Sequence, residues 1–423
     1  MRVLLINDTS SSPNWGARAT SIALKKMITD TGDHSLTNLK QDNVQGYRDS
    51  RDPVNKFKNI LKQFIPPALL ELKQKLPFNF TSSSVFQNTP QKWEDFERLR
   101  KKISRDKMGL SEKFQAIART DIVIIQGEGC IYGNTKHSRM LLFFGYLAKK
   151  YFNKPVLMVN HTADFSHPVL HKIAQNVYPL FDDVVFREPV SAQQCNSFCS
   201  GRRGADAAFI FKPASLSDWL PIADRDTYFD FWPESAPFDP GNPYICIGGG
   251  SGLPSVNNNS FDPVAKYSTL ISYLQKNFSQ QLVLTASGST DLRIFRALAE
   301  RHNLPLLGLA TPVQQAVDIL GNARAYIGGR WHPSIFSLSG GTPIIPITAN
   351  SFKMDALGRL FGLTESSINP SNIDAEKEKI ADLLNDYFSR GKNLREQLEN
   401  RARKEEEKAF ENVAFLRKDH AIT

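Results

Sequence analysis

Short apolar runs, each ending in a polar or glycine-rich loop, recur along the chain and alternate with amphipathic stretches. In the first half these runs are MRVLLIN (1–7), DIVIIQGEG (121–129), KPVLMVNHT (154–162), DDVVFRE (182–188) and ADAAF (205–209). In the second half they are YICIGGGSG (244–252), QLVLTASGSTD (281–291), LPLLGL (304–309), ARAYIGG (323–329) and TPIIPI (342–347). Such runs predict buried strands, and strands that alternate with helices favour parallel, doubly wound sheets.

The alternation lapses in two places, and these places divide the chain. Residues 41–110 are basic and broken by prolines, which is typical of an insertion, and residues 212–243 are rich in proline and aromatic side chains, which predicts a linker. We therefore predict an α/β fold with two Rossmann-like doubly wound domains, 1–211 and 244–370, that face each other across a cleft in a GT-B-like arrangement. The charged residues 371–423 predict helices on the surface.

The composition is ordinary for a soluble globular protein of 423 residues, of which 41% are hydrophobic. The first apolar run is too short for a secretion signal, and no run approaches the roughly 18 residues that span a bilayer. The four cysteines lack metal-site spacing, and we expect them to be reduced thiols. These observations predict a cytoplasmic protein.

The net charge of +9 favours an anionic partner, such as a phosphorylated small molecule, a nucleic acid or an anionic membrane. The sequence contains no RNP-like motif, recognition-helix pattern or RGG repeat, so we do not expect nucleic-acid binding. Residues 56–76 alternate lysines with bulky apolar residues, as helices at membrane surfaces do. Peripheral contact with the inner face of the cell membrane is thus one hypothesis. The alternative is a lid or packing helix, since Pro66-Pro67 interrupts the stretch.

Arg330 and His332 lie in a predicted loop, between the run 323–329 and a helix that Pro333 opens. Open α/β sheets bind ligands at the carboxyl ends of their strands. A permanent cation and a titratable imidazole there suggest an anionic ligand, and the start of a helix adds N–H donors. The alternative is a surface arginine and a histidine bonded to the backbone.

Other turns of the second half add candidates for the same donor site. They are Gly249, Gly250 and Ser251 after one run, Gly288 and Ser289 after the next, and Lys353 beyond TPIIPI. Glycine turns let backbone amides face a phosphate, and a lysine adds a cation. The alternatives are a plain flexible turn, a helix N-cap at Ser289 or Thr290, and a solvated lysine.

Loops of the first half supply a second set, which we assign to the acceptor side. Its members are Asn14, Gly16, Gly127, Glu128 and Arg187. Glu128, between two glycines, is either a solvated acid or a group that handles acceptor hydroxyls. His161 and Asp206 occupy comparable positions, and we expect them to be structural. No group of acids or histidines has metal-ligand spacing, so no metal is predicted.

Five motifs occur in an order and spacing that resemble the polysaccharide pyruvyl transferase family, a GT-B-like group that uses phosphoenolpyruvate. They are Asn14 to Ala19 (family N-x-G-D-x-A), Asp121 to Gly129 (D-x-x-I-x-G-G-G), Arg187 to Ser191 (R-[D/E]-x-x-S), Ala205 to Phe209 (A-D-x-A-F), and Arg330 to His332 with Gly341 to Ile345 (R-L-H and G-x-P-[VI]-I), followed by Lys353. The resemblance covers residues 1–40 and 115–365. Ala17 replaces the usual acid, Glu128 a glycine and Trp331 a leucine.

The resemblance implies transfer of a pyruvyl group from phosphoenolpyruvate, without a cofactor, to a sugar of a surface polysaccharide or its lipid-linked precursor. Arg330 would bind the carboxylate or phosphate, and Lys353 would add charge. His332 would bind phosphate or act as general acid, and Glu128 would be the base on the acceptor side.

Two other hypotheses remain open. The first is a GT-B glycosyltransferase with a nucleotide-sugar donor, because His332-Pro333 is similar to the HP motif of sialyltransferases. It predicts a larger donor pocket or an aromatic ring stacked on a base. The second is a non-catalytic protein that binds anionic glycans, in which Arg330 and His332 need not share one small pocket.

Overall fold

The computed structural model describes residues 1–41, 89–105, 112–223, 231–232, 236, 238–253, 262–363 and 366–418. The predicted insertion is therefore described only at its two ends. The proposed membrane-contacting stretch, 56–76, lies outside the described residues. Within the described ranges, no helix combines the length and apolar character needed to cross a membrane.

The first half of the chain forms a six-stranded parallel sheet in the order β2-β1-β3-β4-β5-β6. Its strands are β1 (Arg2–Asp8), β2 (Ser35–Lys40), β3 (Ile122–Tyr132), β4 (Val156–Asp164), β5 (Asp183–Phe186) and β6 (Arg202–Arg203). Its helices are α1 (Trp15–Thr29), α2 (Glu94–Arg105), α3 (Glu112–Arg119), α4 (Lys136–Lys150), α5 (Pro168–Val177) and α6 (Pro189–Cys195). The chain reverses direction across the sheet between β1 and β3, and such a switch point is where open α/β sheets bind ligands.

The second half repeats this plan. Its elements are α7 (Leu216–Ala223), β7 (Phe231–Trp232), β8 (Tyr244–Gly250), α8 (Pro263–Asn277), β9 (Gln281–Thr285), α9 (Ser289–His302), β10 (Leu306–Leu307), α10 (Val313–Asn322), β11 (Ala325–Gly329), α11 (Trp331–Ser339), β12 (Ile344–Pro346) and α12 (Lys353–Phe361). The sheet order is β12-β11-β8-β9-β10-β7, with β7 alone antiparallel. The prediction of two doubly wound α/β sheets is confirmed, and the second switch point lies between β8 and β11.

The carboxy-terminal helices are α13 (Lys377–Ala409) and α14 (Ala414–Lys418). Gly391 breaks α13 with φ 49° and ψ −126°. The polar sequence predicts a surface helix, but α13 buries one face, including Leu384, Tyr387 and Leu398. It also reaches back to the first half, because Glu405 accepts from Arg203 at 2.6 Å.

Two details of the sequence-based assignment are wrong. The run ADAAF is not a strand: Asp206 caps a 3-10 turn at Ala207–Ile210 by accepting from the Ala208 amide. The run DIVIIQGEG does not end in a loop at Gly127, because β3 continues to Tyr132 through an irregular register after Glu128. One extra residue on β3 makes this a β-bulge, which re-aims side chains.

Candidate active site

The carboxyl ends of the two sheets enclose one cavity of about 230 Å³. Its lining residues come from both halves of the chain. They are Ser12, Asn14, Ala17, Gln41, Glu128, Gly129, Cys130, Arg187, Ser251, Ser287, Arg330, Trp331, His332, Pro333 and Lys353. The strongest donor-side candidates therefore share one cavity with Asn14, Glu128 and Arg187, the candidates of the acceptor side. The geometry does not separate the two sets.

Arg330 is held in place by a carboxylate that sequence reasoning missed. Its Nε and Nη2 donate to Asp291 at 2.9 and 2.8 Å, and Asp291 is fully buried in the first turn of α9. The pair lies against Gly288, where an added Cβ would be 2.8 Å from Nη2. Nη1 makes no hydrogen bond to the described residues and is left for a ligand.

The Arg330 loop is shorter than predicted. β11 ends at Gly329 and α11 begins at Trp331, so Arg330 is the single connecting residue. Pro333 therefore lies within the first turn rather than opening the helix. No side chain caps α11, and its first residues line the cavity. An uncapped helix start favours a negatively charged ligand.

His332 is not a loop residue open to solvent but is 6% exposed between the two halves of the chain. Its ring packs on Gly16 of α1, where an added Cβ would lie 2.0 Å from Nδ1. Nε2 is 2.9 Å from the Thr20 hydroxyl and 3.4 Å from Asp206. The imidazole of His332 thus packs against Gly16, which does not itself line the cavity.

Asp206 joins the cations of the site across the two halves. Its Oδ2 accepts from Arg187 Nη1 and from Trp331 Nε1, both at 2.9 Å, and the Arg187 guanidinium lies 4.7 Å from the Trp331 ring centre. Burial opposes ionisation of this carboxyl, but the charge and hydrogen bond of His332 and the charge of Arg187 outweigh it and hold the pKa of Asp206 below its usual range. Asp206 does not line the cavity, and these contacts agree with the structural role expected of it.

Lys353 begins α12, is 7% exposed, and donates to Asn350 at 2.7 Å. Burial, followed by the charges of Arg187 and Arg330, lowers the pKa of this ammonium to about 7, against a smaller opposing effect of Glu128. The Lys353 ammonium is thus repelled by the positive charges of Arg187 and Arg330. An anion in the cavity would relieve that repulsion.

The β3 bulge carries Glu128 into the cavity with φ 46°, a conformation rare for a residue other than glycine. Among the described residues that line the cavity, Glu128 is the one acid. Cys130 follows on the same wall, but burial and then the charge of Glu128 raise the pKa of its thiol to about 12. It is therefore inert as a thiolate near neutral pH.

Several predicted site residues lie behind the cavity and do not line it. Gly127 makes room for the His161 ring, and Gly249 for Asp291, since an added Cβ would lie 2.4 and 2.3 Å from those side chains. Gly250 packs on the Gly329 backbone, while Gly288 caps α9 without any side-chain bond and Ser289 is exposed. The predicted cap by Ser289 or Thr290 is therefore wrong.

Other lining residues escaped the sequence analysis because their types carry no signal by themselves. They include Ser12, Gln41, Cys130 and Ser287. Ser287 was within reach of sequence reasoning, because it immediately follows a strand in a run already singled out. In the part of the chain that the structure describes, no three His, Cys, Asp or Glu side chains are grouped as a metal-ion site requires.

Comparison with known proteins gives one family. The family model described as polysaccharide pyruvyl transferase matches residues 14–351, which hold every residue of the cavity except Ser12 and Lys353. No curated protein matches the chain significantly by sequence.

Solved structures with the same fold include a UDP-GlcNAc 2-epimerase from Neisseria meningitidis bound to UDP-GlcNAc (13% identity, 99% of this chain and 100% of the other covered, TM-score 0.54). A putative UDP-N-acetylglucosamine 2-epimerase from Listeria monocytogenes is also similar (12% identity, 100% of this chain and 97% of the other covered, TM-score 0.55). A spinosyn rhamnosyltransferase complexed with thymidine diphosphate has the same fold (11% identity, 99% of this chain and 100% of the other covered, TM-score 0.51). These likenesses show the fold, and they confirm the GT-B-like arrangement of two domains.

Proposed function

Because the chain belongs to the polysaccharide pyruvyl transferase family, we propose that it transfers a pyruvyl group from phosphoenolpyruvate to a sugar of a surface polysaccharide or of its lipid-linked precursor. The product is a pyruvate ketal. The observation that carries this proposal is the convergence of Arg187, Arg330 and Lys353 on one small cavity, with Glu128 the one acid among the described residues of its wall.

The reaction needs charge and a proton in that cavity. Protonation of the methylene carbon of the donor turns it into a methyl group, two sugar hydroxyls bond to C2, and inorganic phosphate leaves with the bridging oxygen. Phosphoenolpyruvate carries a carboxylate and a phosphoryl group on adjacent atoms, so it needs several cations within a few ångströms of each other. A buried site strengthens each of these contacts, because water screens them less.

The arrangement supports a division of labour. Arg330, fixed by Asp291, offers Nη1 to the donor, and Lys353 adds charge. His332 is our candidate general acid: Asp206 and Thr20 hold Nε2, while Nδ1 makes no hydrogen bond to the described residues. Glu128 is our candidate base for the acceptor hydroxyls. With Ala17 at the position of the usual family acid, no second carboxylate of the described wall competes for that role.

The geometry favours this donor over the two alternatives. A cavity of about 230 Å³ is smaller than the roughly 300–1,000 Å³ of pockets for drug-sized ligands, and a nucleotide sugar is a ligand of that size or larger. The aromatic rings among the described lining residues are the Trp331 indole, which the Arg187 guanidinium covers, and the His332 imidazole, which packs on Gly16. A non-catalytic glycan binder does not require Arg330 and His332 to share one small cavity, as they do here.

Thermal unfolding with added ligands tests the proposal. We would compare phosphoenolpyruvate, CMP, UDP and GDP on the wild type and on Lys353→Met, which removes a charge without leaving a buried carboxylate unpaired. A ligand at about 100 times its dissociation constant stabilises by roughly 2.7 kcal/mol, which shifts the midpoint by several degrees. We expect a shift with phosphoenolpyruvate that Lys353→Met abolishes.

Lys392→Met is the matched control, because that side chain is 87% exposed, forms an exposed ion pair with Glu396 and does not line the cavity. It should keep the full shift. A shift with a nucleotide and none with phosphoenolpyruvate would contradict the proposal and favour a nucleotide-sugar glycosyltransferase.

A further inference from the structure

Ser287 has a buried hydroxyl without a partner in the cavity wall. The residue is 2% exposed, and its Oγ makes no hydrogen bond to the described residues. It follows β9 at the carboxyl edge of the second sheet and lines the cavity. Leaving a buried polar group unpaired costs free energy, so such groups in native proteins usually form a hydrogen bond with the protein or with a bound molecule.

The helix that follows Ser287 is also left open at its amino end. α9 has 14 residues, its N-cap is Gly288, and no side chain among the described residues makes a capping hydrogen bond there. Asp291, in that turn, directs its carboxylate to Arg330 instead of capping the helix. The aligned peptide dipoles therefore leave partial positive charge at this end, as in helices that bind anions.

Arg330 connects the two features. Its Nη2 packs on Gly288, the residue next to Ser287, and its Nη1 has no hydrogen-bond partner among the described residues. A hydroxyl donor, a helix start and an arginine N–H thus lie at the same corner of the cavity.

We propose that Ser287, the amino end of α9 and Arg330 Nη1 form a phosphoryl subsite, which holds the phosphate of the donor. This assignment rests on the proposed function for the identity of that donor. A phosphoryl group has three terminal oxygens and accepts hydrogen bonds from several directions. This corner of the cavity supplies donors from several directions. A planar carboxylate suits a paired arginine edge, and the Nε–Nη2 edge of Arg330 is already occupied by Asp291. The carboxylate of the donor would then bind on the side of the cavity that holds Arg187 and Lys353.

Titration calorimetry with three probes tests the subsite: inorganic phosphate, pyruvate and phosphoenolpyruvate. The variant is Ser287→Ala, which removes only the unpaired hydroxyl. The control is Ser339→Ala, because the Ser339 hydroxyl is also without a partner but lies on the wall of a different cavity, near the start of β8. Thermal midpoints of both variants, measured first, should be no lower than that of the wild type, since neither change breaks a hydrogen bond and each removes an unpaired buried hydroxyl.

We expect Ser287→Ala to weaken phosphate and phosphoenolpyruvate binding by the same factor, about tenfold, as for loss of a hydrogen bond to a charged group. Pyruvate has the carboxylate without the phosphoryl group, so its binding should not change. Ser339→Ala should bind all three probes like the wild type.

The other outcomes separate the subsite from the proposed function. If the wild type binds phosphoenolpyruvate and Ser287→Ala binds it equally well, the subsite is wrong and the function survives. Equal weakening of pyruvate binding would mean a structural effect and would also overturn the subsite. If Ser287→Ala weakens phosphate binding but the wild type does not bind phosphoenolpyruvate, the phosphoryl subsite is supported and the proposed donor is wrong. Failure of the wild type to bind any probe overturns both.

Discussion

At the scale of single residues, Lys353 has the most unfavourable environment in the site. It is almost fully buried, and the two nearest strong charges, Arg187 and Arg330, have the same sign as its own. The opposing charge of Glu128 is a smaller effect. Such a residue destabilises the unliganded protein, and its retention makes physical sense if an anion joins the three cations during function.

This environment predicts a pH dependence of stability. The pKa of Lys353 is about 7 in the folded protein against 10.5 for a free lysine. Below pH 7 the ammonium is charged in both states, whereas between pH 7 and 10.5 the unfolded chain binds a proton that the folded chain has lost. The free energy of unfolding should therefore rise with pH, by about 2 kcal/mol from pH 7 to 9.

Chemical denaturation of the wild type and Lys353→Met at pH 7, 8 and 9 would measure the effect. Other titrating groups are common to both proteins and cancel in the difference, so the wild type should approach the variant in stability as the pH rises. A difference that stays constant over this range would show that Lys353 does not lose its proton there.

Residue positions were easier to predict from the sequence than residue partners. Arg330, His332 and Lys353 follow strands, and Glu128 lies at the bulge of β3; the carboxyl edge of a sheet collects such residues whatever the details of packing. Asp291 could not be found in this way. Its role depends on the start of α9 lying close to Arg330, which follows β11, and nothing local in the sequence encodes that contact.

At the scale of elements, the approach of α1 to α11 decides where His332 lies. Gly16 is in the first turn of α1, and the imidazole of His332 occupies the space where a side chain would be. Alanine in a helix is normally more stable than glycine by about 0.5–1 kcal/mol. Here the added Cβ would lie 2.2 Å from Cγ of the ring, so the overlap outweighs that gain.

We expect Gly16→Ala to destabilise the protein by about 1–3 kcal/mol, as overpacked cores do, and to weaken phosphoenolpyruvate binding by displacing His332. Thermal unfolding and calorimetry would measure the two effects. Gly308→Ala is the control, because no atom of the described residues lies within 4 Å of an added Cβ there. An unchanged midpoint and affinity in Gly16→Ala would mean that α1 and α11 can separate at no cost.

Elements whose pattern is local were predicted well, and those defined by tertiary contact were not. Apolar runs identified most of the long strands. The polar pattern predicted carboxy-terminal helices, which are present as α13, broken at Gly391, and α14. The edge strand β2, with the half-polar sequence SLTNLK, was missed because an exposed edge has no apolar run to detect. ADAAF was misassigned because its burial comes from packing against α1 and α13 rather than from a sheet.

At the scale of the whole molecule, each half of the chain extends a helix to the other. α13 returns to the first sheet, where Asn412, just beyond its end, bonds to the Asn160 amide and the Ala205 carbonyl at 2.8 and 2.9 Å. In the opposite direction, α1 contacts the second half. Trp15 Nε1 donates to the Gly308 carbonyl at 3.1 Å. Both connections join the two halves that line the cavity, so the geometry of the cavity depends on both.

Arg18 provides the sharpest test of that dependence. Its guanidinium donates to the carbonyls of Leu309 and Thr311 at 3.2 and 2.6 Å, on the loop after β10, and it does not line the cavity. Burial lowers the pKa of Arg18, since no carboxylate compensates for its lost hydration. The two hydrogen bonds are therefore what holds the side chain between the halves. Removing them should loosen the contact without touching a ligand.

We expect Arg18→Ala to lower the free energy of unfolding by about 2 kcal/mol, the value of hydrogen bonds from a charged donor, and to weaken phosphoenolpyruvate binding severalfold. Arg2→Ala is the control: Arg2 is also an amino-terminal arginine, but its ion pair with Asp121 is exposed and should contribute little to stability. If both variants bind phosphoenolpyruvate equally, the cavity does not depend on this contact. Weaker binding in Arg18→Ala alone would show that the donor site is complete only when α1 holds the two halves together.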